Sequence, residues 1–232
     1  MIRKPAPQDQ RRPAILVSDT GPLSLLGTVP GALNWLFVPG CEVWIPDIIL
    51  DEVLRDPGEG KDQRIGHRAE ISFWLQSNRY RIRRLETRIG RRYAAELRSY
   101  ANAMNLWRLA GSPGDREPLH PEWKDRGDHS VWIGVNIASD ALAAGEAVIA
   151  LADDRDVRAA IEARARQKKA AAIDLMGTQT FIQWMAEDFA VEAALTAWDA
   201  IAAAREGKVP VFNAESGDPD DGTGDPVYIR VP

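Results

Sequence analysis

Short apolar runs alternate with longer segments of helical spacing along most of the chain. The runs have the length of strands and predict them at residues 14–18, 41–46, 79–86, 146–154 and 170–175. The longer segments predict a short helix after residue 19 and further helices at residues 47–56, 65–76, 90–110, 128–145, 155–167, 178–189 and 191–207. Strands that alternate with helices are typical of a parallel sheet with helices on both faces. The pattern therefore predicts a three-layer α/β/α domain with a mainly parallel central sheet and C-terminal helices.

Length and composition fit a globular protein with one domain. Of 232 residues, 27% are charged and 45% are hydrophobic, which is enough for a substantial core. The formal net charge of −5 does not favour a general polyanion binder, so affinity for nucleic acid would need a local basic patch or metal ions. We expect a flexible, proline-rich arm at residues 1–13, a domain at 14–212 and an acidic, disordered tail at 213–232.

Cysteine use and hydropathy favour a cytoplasmic protein. Cys41 is the only cysteine, which excludes a disulfide within one chain, and its apolar neighbours predict a small buried residue. The N-terminal residues lack the apolar stretch of a signal peptide. No apolar run approaches the roughly 20 residues that a membrane span needs. We therefore expect a cytoplasmic location and no membrane partner.

Acidic side chains recur where strands of the predicted sheet end. Asp19 directly follows the first strand, and Asp153 and Asp154 close a later one. Because the carboxyl ends of parallel strands meet at one edge of a sheet, these acids can lie close together. Glu52, in the helix after the second strand, and Asp128, at the start of a later helix, can reach the same edge. The sequence therefore predicts a carboxylate cluster.

A carboxylate cluster suggests a divalent cation. Carboxylates held together repel one another, and a bound cation removes that repulsion. Hard oxygen ligands suit Mg²⁺ or Mn²⁺, which can activate a water and neutralise the charge of a phosphodiester. Zinc is disfavoured because His67, His120 and His129 lack ligand spacing and no cysteine pair exists.

Taken one at a time, the acids have simpler explanations. Asp47 and Asp128 are good helix caps, Glu52 fits an exposed helix charge, and Asp154 fits the start of a helix. Asp19 is the least easily explained in this way, because it directly follows a buried strand. Only the ordered set supports a shared site.

Four stretches together resemble a known family. These are "VSDTGPLSLL", "VWIPDIILDEVL", "GDHS" and "ALADDRDVRAA". They are similar to the PIN domain, the fold of VapC-type toxin ribonucleases, and most of all to the branch that opens with Asp-Thr-(Ser/Gly)-Pro-Leu. "GTQTFIQWMAEDF" is also similar to that branch. The resemblance covers residues 14–56 and 126–205. It implies an Mg²⁺- or Mn²⁺-dependent endoribonuclease, the toxin of a type II toxin–antitoxin pair, with RNA as substrate and an antitoxin and a second copy of the chain as partners.

The resemblance also assigns roles to residues of this chain. The catalytic acids would be Asp19, Glu52, Asp128 and Asp154. Metal ligands would come from Asp19 and Asp128 together with Asp153 or Asp154, because the doublet leaves the register open.

Two further positions near these acids need interpretation. Asp128 stands where the family more often has Gly-Glu. Gly145–Glu146 has the sequence of that motif, but it lies only seven residues before Asp153, which is too short for the helix and strand that separate the two acids in the family. We therefore favour Asp128 as the third acid. Thr20 would support the site by orienting a metal-bound water, or it would cap the following helix.

Residues 57–125 form a helical insertion. It is longer than the segment that a minimal PIN domain has between its second and third acids. Within it, residues 79–93 carry seven arginines against the single acid Glu86. Arginines interleaved with Tyr80 and Tyr93 suit phosphate contacts and base stacking, although a solvated face or an acidic partner would also explain them. The expected RNA-binding residues are Arg81, Arg83, Arg84, Arg91 and Arg92.

Two other functions remain open. The chain could be a catalytically inactive PIN-like module that binds RNA or protein through the arginine segment. A metal-dependent phosphatase is a weaker alternative, because Gly21 stands where an Asp-x-Asp motif needs its second acid.

Overall fold

A five-stranded parallel sheet forms the centre of the protein. The computed structural model describes residues 11–54, 65–112, 114, 117–121, 126–167, 173–205, 208–210 and 228–230. All five predicted strands are present, and they pair in parallel. The strands are β1 (Arg12–Ser18), β2 (Glu42–Pro46), β3 (Ile82–Leu85), β4 (Glu146–Leu151) and β5 (Ile173–Met176).

Helices flank the sheet and complete the predicted three-layer α/β/α architecture, which is confirmed. They are α1 (Thr20–Leu26), α2 (Asp47–Leu54), α3 (Ile65–Ser77), α4 (Arg88–Leu109), α5 (Arg126–Ala141), α6 (Arg155–Gln167), α7 (Thr178–Asp188) and α8 (Ala194–Arg205). A 3-10 helix at Ala32–Phe37 was not predicted. No described helix has both the length and the apolar character required to cross a membrane.

The order of the strands places a topological switch point between β1 and β4. The order is β3-β2-β1-β4-β5, so the chain moves outwards from β1 to β3 and then returns to the other side of β1. Ligands of such sheets bind at this switch point, beyond the carboxyl ends of the strands. Ser18 lies opposite Leu151, and the Asp19 amide donates to the Leu151 carbonyl at 2.9 Å. The first predicted acid is therefore fixed beside the end of β4.

The central strands carry the core. β2 and β4 are buried from their second residue onwards and β1 from its fourth, which explains their apolar runs. Gly134 brings α5 close to the sheet, because a Cβ there would lie 3.2–3.3 Å from Pro46, Leu85 and Val17. Cys41 is buried as predicted, and burial raises the pKa of its thiol to about 11.

A buried hydrogen-bond network joins the end of β2 to the start of α4. The Asp47 carboxylate accepts bonds from the Thr87 amide at 3.0 Å and the Thr87 hydroxyl at 2.9 Å, and another from the Ile48 amide at 2.9 Å. The Thr87 hydroxyl in turn accepts from the Gly90 amide at 2.9 Å. Asp47 is therefore a structural acid, in agreement with its interpretation as a cap.

The segment expected as an insertion contributes to the central sheet. β3 lies within residues 57–125 and pairs with β2 as an edge strand, with α3 before it and α4 after it. Residues 55–64, 113, 115–116 and 122–125 of this region lie outside the described residues.

Both predicted flexible ends contain short strands. β1 begins at Arg12, inside the predicted arm 1–13, and residues 1–10 are outside the described part of the chain. Near the C-terminus, β6 (Lys208–Pro210) pairs antiparallel with β7 (Tyr228–Arg230). β7 belongs to the predicted tail 213–232, whose other residues are not described.

Candidate active site

Asp19 is a buried acid at the carboxyl end of β1. It is 6% exposed, and its Oδ1 accepts a bond from the Thr20 amide at 2.7 Å, so it caps α1. The pKa of Asp19 is raised from 3.8 to about 7. Burial is the main cause; the Thr20 bond opposes it, and the negative charges of Glu52, Asp128 and Asp154 add to the rise. The group therefore carries a proton for part of the time at neutral pH.

The charges that act on Asp19 come from the other predicted acids. Asp19 follows β1, Glu52 lies on α2, Asp128 is in the first turn of α5, and Asp154 directly precedes α6. The structure thus brings together four acids that are up to 135 positions apart in the chain. Their catalytic roles remain predictions.

Thr20 links two of these acids. Its amide donates to Asp19, and its hydroxyl donates to Glu52 Oε2 at 2.8 Å. The interpretation of Thr20 as the helix cap is wrong, because Asp19 caps α1 and the Thr20 hydroxyl instead holds the Glu52 carboxylate beside Asp19. A role of Thr20 in orienting a metal-bound water stays a prediction.

Gly127 belongs to the site, although the sequence did not single it out. A Cβ at this position would lie 2.7 Å from Glu52 Oε2 and 3.5 Å from Ile49 Cδ1. The Glu52 carboxylate therefore approaches the backbone of α5 one residue before Asp128. The only signal in the sequence is a glycine at the start of a helix, where Gly is otherwise unfavourable.

The Asp153–Asp154 doublet divides into two roles. Asp153 ties β4 to α7, because its Oδ1 accepts from the Thr178 amide at 2.8 Å and its Oδ2 from the Thr178 hydroxyl at 2.6 Å. Asp154 Oδ1 accepts from the amides of Asp156 at 2.7 Å and Val157 at 3.1 Å, so it caps α6. Of the two acids of the doublet, only Asp154 is among the charges that raise the pKa of Asp19. Thr178, which fixes Asp153, was not anticipated.

The start of α5, which carries Asp128, is held against α4. Arg126 Nη2 lies 2.7 Å from Glu96 Oε2, and the guanidinium lies 4.6 Å from the centre of the Tyr93 ring. Hydrogen bonds from Arg126 and then from Arg92 lower the pKa of Glu96. The contact joins α4 to a residue two positions before Asp128.

The five arginines predicted to bind RNA lie on different elements and make different contacts. Arg81 and Arg83 stack on the rings of Phe37 and Trp44, at 3.9 Å and 4.2 Å from the ring centres. Arg81 precedes β3 and Arg83 lies near its start, whereas Arg91 and Arg92 lie in α4, beyond the opposite end of β3. The remaining one, Arg84, pairs with Asp51 at 3.9 Å.

The side chains as they stand do not form a closed metal site. Among the described residues, no three His, Cys, Asp or Glu side chains are placed to hold a metal ion together. At least three of the acids use an oxygen elsewhere: Asp19 Oδ1 and Glu52 Oε2 accept from the Thr20 amide and hydroxyl, and Asp154 Oδ1 accepts from the first turn of α6. The chemistry of the donors nevertheless fits a hard cation, because all four are carboxylates. A bound cation would also offset the cost of a negative charge on buried Asp19.

Comparison with known proteins does not identify a family. No protein-family model matches the chain, and no curated protein is similar enough in sequence to count as a relative. The fold and the site define a class: a doubly wound α/β domain with a carboxylate cluster at its switch point.

Gly127→Ala is expected to disturb the cluster without unfolding the protein. The new methyl group would displace the Glu52 carboxylate, the end of a flexible side chain, and would break its bond to Thr20. The unfolding free energy should change by less than about 1 kcal/mol, because Ala also favours the helix. The pKa of Asp19, followed by carboxyl NMR, should fall, because one neighbouring charge has moved away.

Gly21→Ala is the matched control for this variant. A Cβ at Gly21 would make only ordinary contacts, at 3.6 Å, with Asp153. An equal pKa of Asp19 in wild type and Gly127→Ala would show that Glu52 does not act on it.

Proposed function

We propose that this protein is a metal-dependent endoribonuclease that hydrolyses RNA phosphodiesters at the carboxylate cluster. The convergence of Glu52, Asp128 and Asp154 on buried Asp19 is the observation that supports the proposal. Such a group of like charges is unfavourable without a cation, and a cation is what an anionic substrate needs at an acidic site. The resemblance of the sequence to PIN domains supplies the reaction.

Each residue of the cluster has a role in this proposal. Asp19, Asp128 and Asp154 would hold Mg²⁺ or Mn²⁺, and Asp154 is preferred over Asp153 because Thr178 already bonds both oxygens of Asp153. When bound, the ion would activate a water and neutralise charge on the phosphodiester. Asp19 must release its proton for the ion to bind. Thr20 orients the Glu52 carboxylate, which is available to accept a proton from the attacking water.

The biological setting is a further part of the proposal. The Asp-Thr-Gly-Pro-Leu opening supports a toxin of a type II toxin–antitoxin pair, acting in the cytoplasm with an antitoxin and a second copy of the chain as partners. A short reading frame beside the gene that encodes a DNA-binding protein would support this setting.

The test is cleavage of RNA by the purified full chain. We expect cleavage with Mg²⁺ or Mn²⁺ and none with EDTA, and activity should return when excess metal is added. A parallel sample of the same RNA should be incubated with protein that has been dialysed against EDTA. Cleavage at the same rate in EDTA would reject the proposal.

A non-catalytic module that binds RNA or protein is the second candidate. It is favoured by one observation: Glu52 Oε2 and Asp154 Oδ1 each accept hydrogen bonds within the protein, which gives both carboxylates a structural role that needs no metal. Binding of RNA that is equal in EDTA and in Mg²⁺, without cleavage in either, would support this candidate over the nuclease.

A further inference from the structure

We propose that the protein has a second RNA-binding site, at the edge of the sheet opposite the carboxylate cluster, which holds one phosphate and its adjoining base of a single strand. The inference rests on the proposed RNA substrate. We name this site the amino-edge cavity; it has a volume of about 430 Å³, and Phe37, Glu42, Tyr80, Arg81 and Arg83 are among its lining residues.

The amino-edge cavity lies at the amino ends of the strands, away from the carboxylate cluster. Glu42 is the first residue of β2, and Arg81 directly precedes β3. Asp19 and Asp154 instead follow the ends of β1 and β4. Because all these strands run in parallel, the amino-edge cavity and the carboxylate cluster lie at opposite edges of the sheet. Only an RNA that extends from one edge to the other can occupy both.

The two arginines of the cavity are oriented without being neutralised. Arg81 and Arg83 stack on Phe37 and Trp44, and within the described part of the chain neither forms an ion pair. Stacking fixes the plane of a guanidinium and leaves its N–H groups available for a phosphate. Glu42 also lines the cavity, but its Oε2 accepts a bond from Trp44 Nε1 at 2.9 Å. Two positive charges therefore face one negative charge.

Other arginines of the same region lack this combination. Arg84 pairs with Asp51, while Arg92 and Arg126 both pair with Glu96. Each of these three arginines therefore has an acidic partner within the protein. Arg81 and Arg83 differ from these three arginines because each is stacked on an aromatic ring and lines the cavity.

Tyr80 supplies a surface for a base. The side chain is 86% exposed, Arg79 Nη2 donates to its hydroxyl at 2.7 Å, and the Arg79 guanidinium lies over one face of the ring, 4.7 Å from its centre. The opposite face is the one on which a base would stack. Stacking of bases on aromatic rings and contacts of arginine with the backbone are the two means by which proteins bind single strands. A duplex would keep its bases stacked on one another, which is why the site favours a single strand.

Binding of a labelled 20-nucleotide single-stranded RNA to the full chain tests the inference. The measurement is fluorescence anisotropy in EDTA, where cleavage does not interfere. We expect Arg81→Ala/Arg83→Ala to weaken binding at least about tenfold and, because the site holds one phosphate, to flatten its salt dependence by about one released ion. Tyr80→Ala should weaken binding about fivefold, and Tyr80→Phe less than twofold, because a phenyl ring still stacks.

Arg98→Ala is the matched control, because Arg98 is an exposed arginine of α4 outside the cavity. Binding by the double variant within twofold of wild type would overturn the inference, as would an equal loss in Arg98→Ala. Displacement of the RNA by an acidic peptide at equal concentration would show a protein-binding site instead. Displacement by millimolar AMP would show a site for free nucleotides.

The outcome is separable from that of the nuclease proposal. Loss of binding in the double variant, in a protein that never cleaves RNA, would support the cavity and reject the nuclease. Metal-dependent cleavage with unchanged binding in the double variant would reject the cavity and leave the nuclease in place.

Discussion

Asp19→Asn is expected to reduce metal-dependent RNA cleavage by at least about a thousandfold and, at pH 8 without metal, to stabilise the protein. Both results have the same origin. The carboxylate lies where three other acids act on it, so its charge is needed for a cation and unfavourable without one. Asn keeps the size of the side chain and an oxygen that can accept the bond from the Thr20 amide.

The sign of the stability effect follows from proton binding. The pKa of Asp19 is about 7 in the folded protein and near 3.8 in the unfolded chain. A raised pKa means that the folded state holds the proton more tightly, so its contribution to stability is complete below about pH 4 and is lost as the pH rises towards 7. The full linkage is on the order of 2–4 kcal/mol. Asp19→Asn removes this loss.

Urea unfolding of both proteins in EDTA at pH 5 and at pH 8 measures the effect. The difference in unfolding free energy between Asp19→Asn and wild type should favour the variant by about 1–3 kcal/mol more at pH 8 than at pH 5. Mg²⁺ at pH 8 should stabilise wild type but not the variant. Asp51→Asn is the control, because Asp51 is an exposed acid of α2 beside Glu52. A difference that does not change with pH would contradict the assignment.

The sheet and the convergence of the acids were accessible from the sequence for a physical reason. β1, β2 and β4 are buried, so their residues must be apolar on both faces and appear as continuous runs. An acid that directly follows such a run can only lie at the edge of the sheet. Asp19 and the Asp153–Asp154 doublet were therefore placed correctly at the carboxyl ends of their strands.

The details of the site depended on contacts between distant parts of the chain. The distinction between Asp153 and Asp154 comes from Thr178, which lies 25 positions from Asp153 and on another element. The contribution of Gly127 depends on the approach of Glu52 from α2. No local pattern carries this information, because neither contact has a preferred spacing in sequence.

The insertion and the arginines were interpreted incompletely for the same reason. β3 has only four residues and exposes two of them, so its sequence does not show that it extends the main sheet. Its arginines were predicted to bind RNA together with Arg91 and Arg92 of α4. Arg81 lies before the first residue of β3, whereas Arg92 lies in α4, after the last residue of β3.

Gly90→Ala is expected to destabilise the protein by about 3 kcal/mol or more. A Cβ at Gly90 would lie 1.9 Å from Asp47 Oδ2 and within 2.5 Å of the other atoms of the carboxylate. Asp47 cannot rotate away without leaving the buried amide and hydroxyl of Thr87 unbonded. The gain in helix propensity from Gly to Ala, about 1 kcal/mol, is too small to offset this loss.

Chemical denaturation measures the effect, with Ser99→Ala as the control. Ser99 is an exposed residue of the same helix, and its replacement should change the unfolding free energy by less than about 0.5 kcal/mol. A double-mutant cycle identifies the cause. If the clash with the carboxylate is responsible, Gly90→Ala should be at least about 1 kcal/mol less destabilising in an Asp47→Ala background. Equal effects in both backgrounds would mean that Gly90 is needed for another reason.

The same variant tests whether the network acts on the site. Gly90 lies in the first turn of α4, and the same helix presents Glu96 to Arg126 at the start of α5. A shift of α4 would move that contact and, with it, the turn that carries Asp128. In a Gly90→Ala protein that remains folded at low temperature, the pKa of Asp19 should fall, because Asp128 acts on it less strongly. An unchanged pKa would show that the clash is absorbed before it reaches α5.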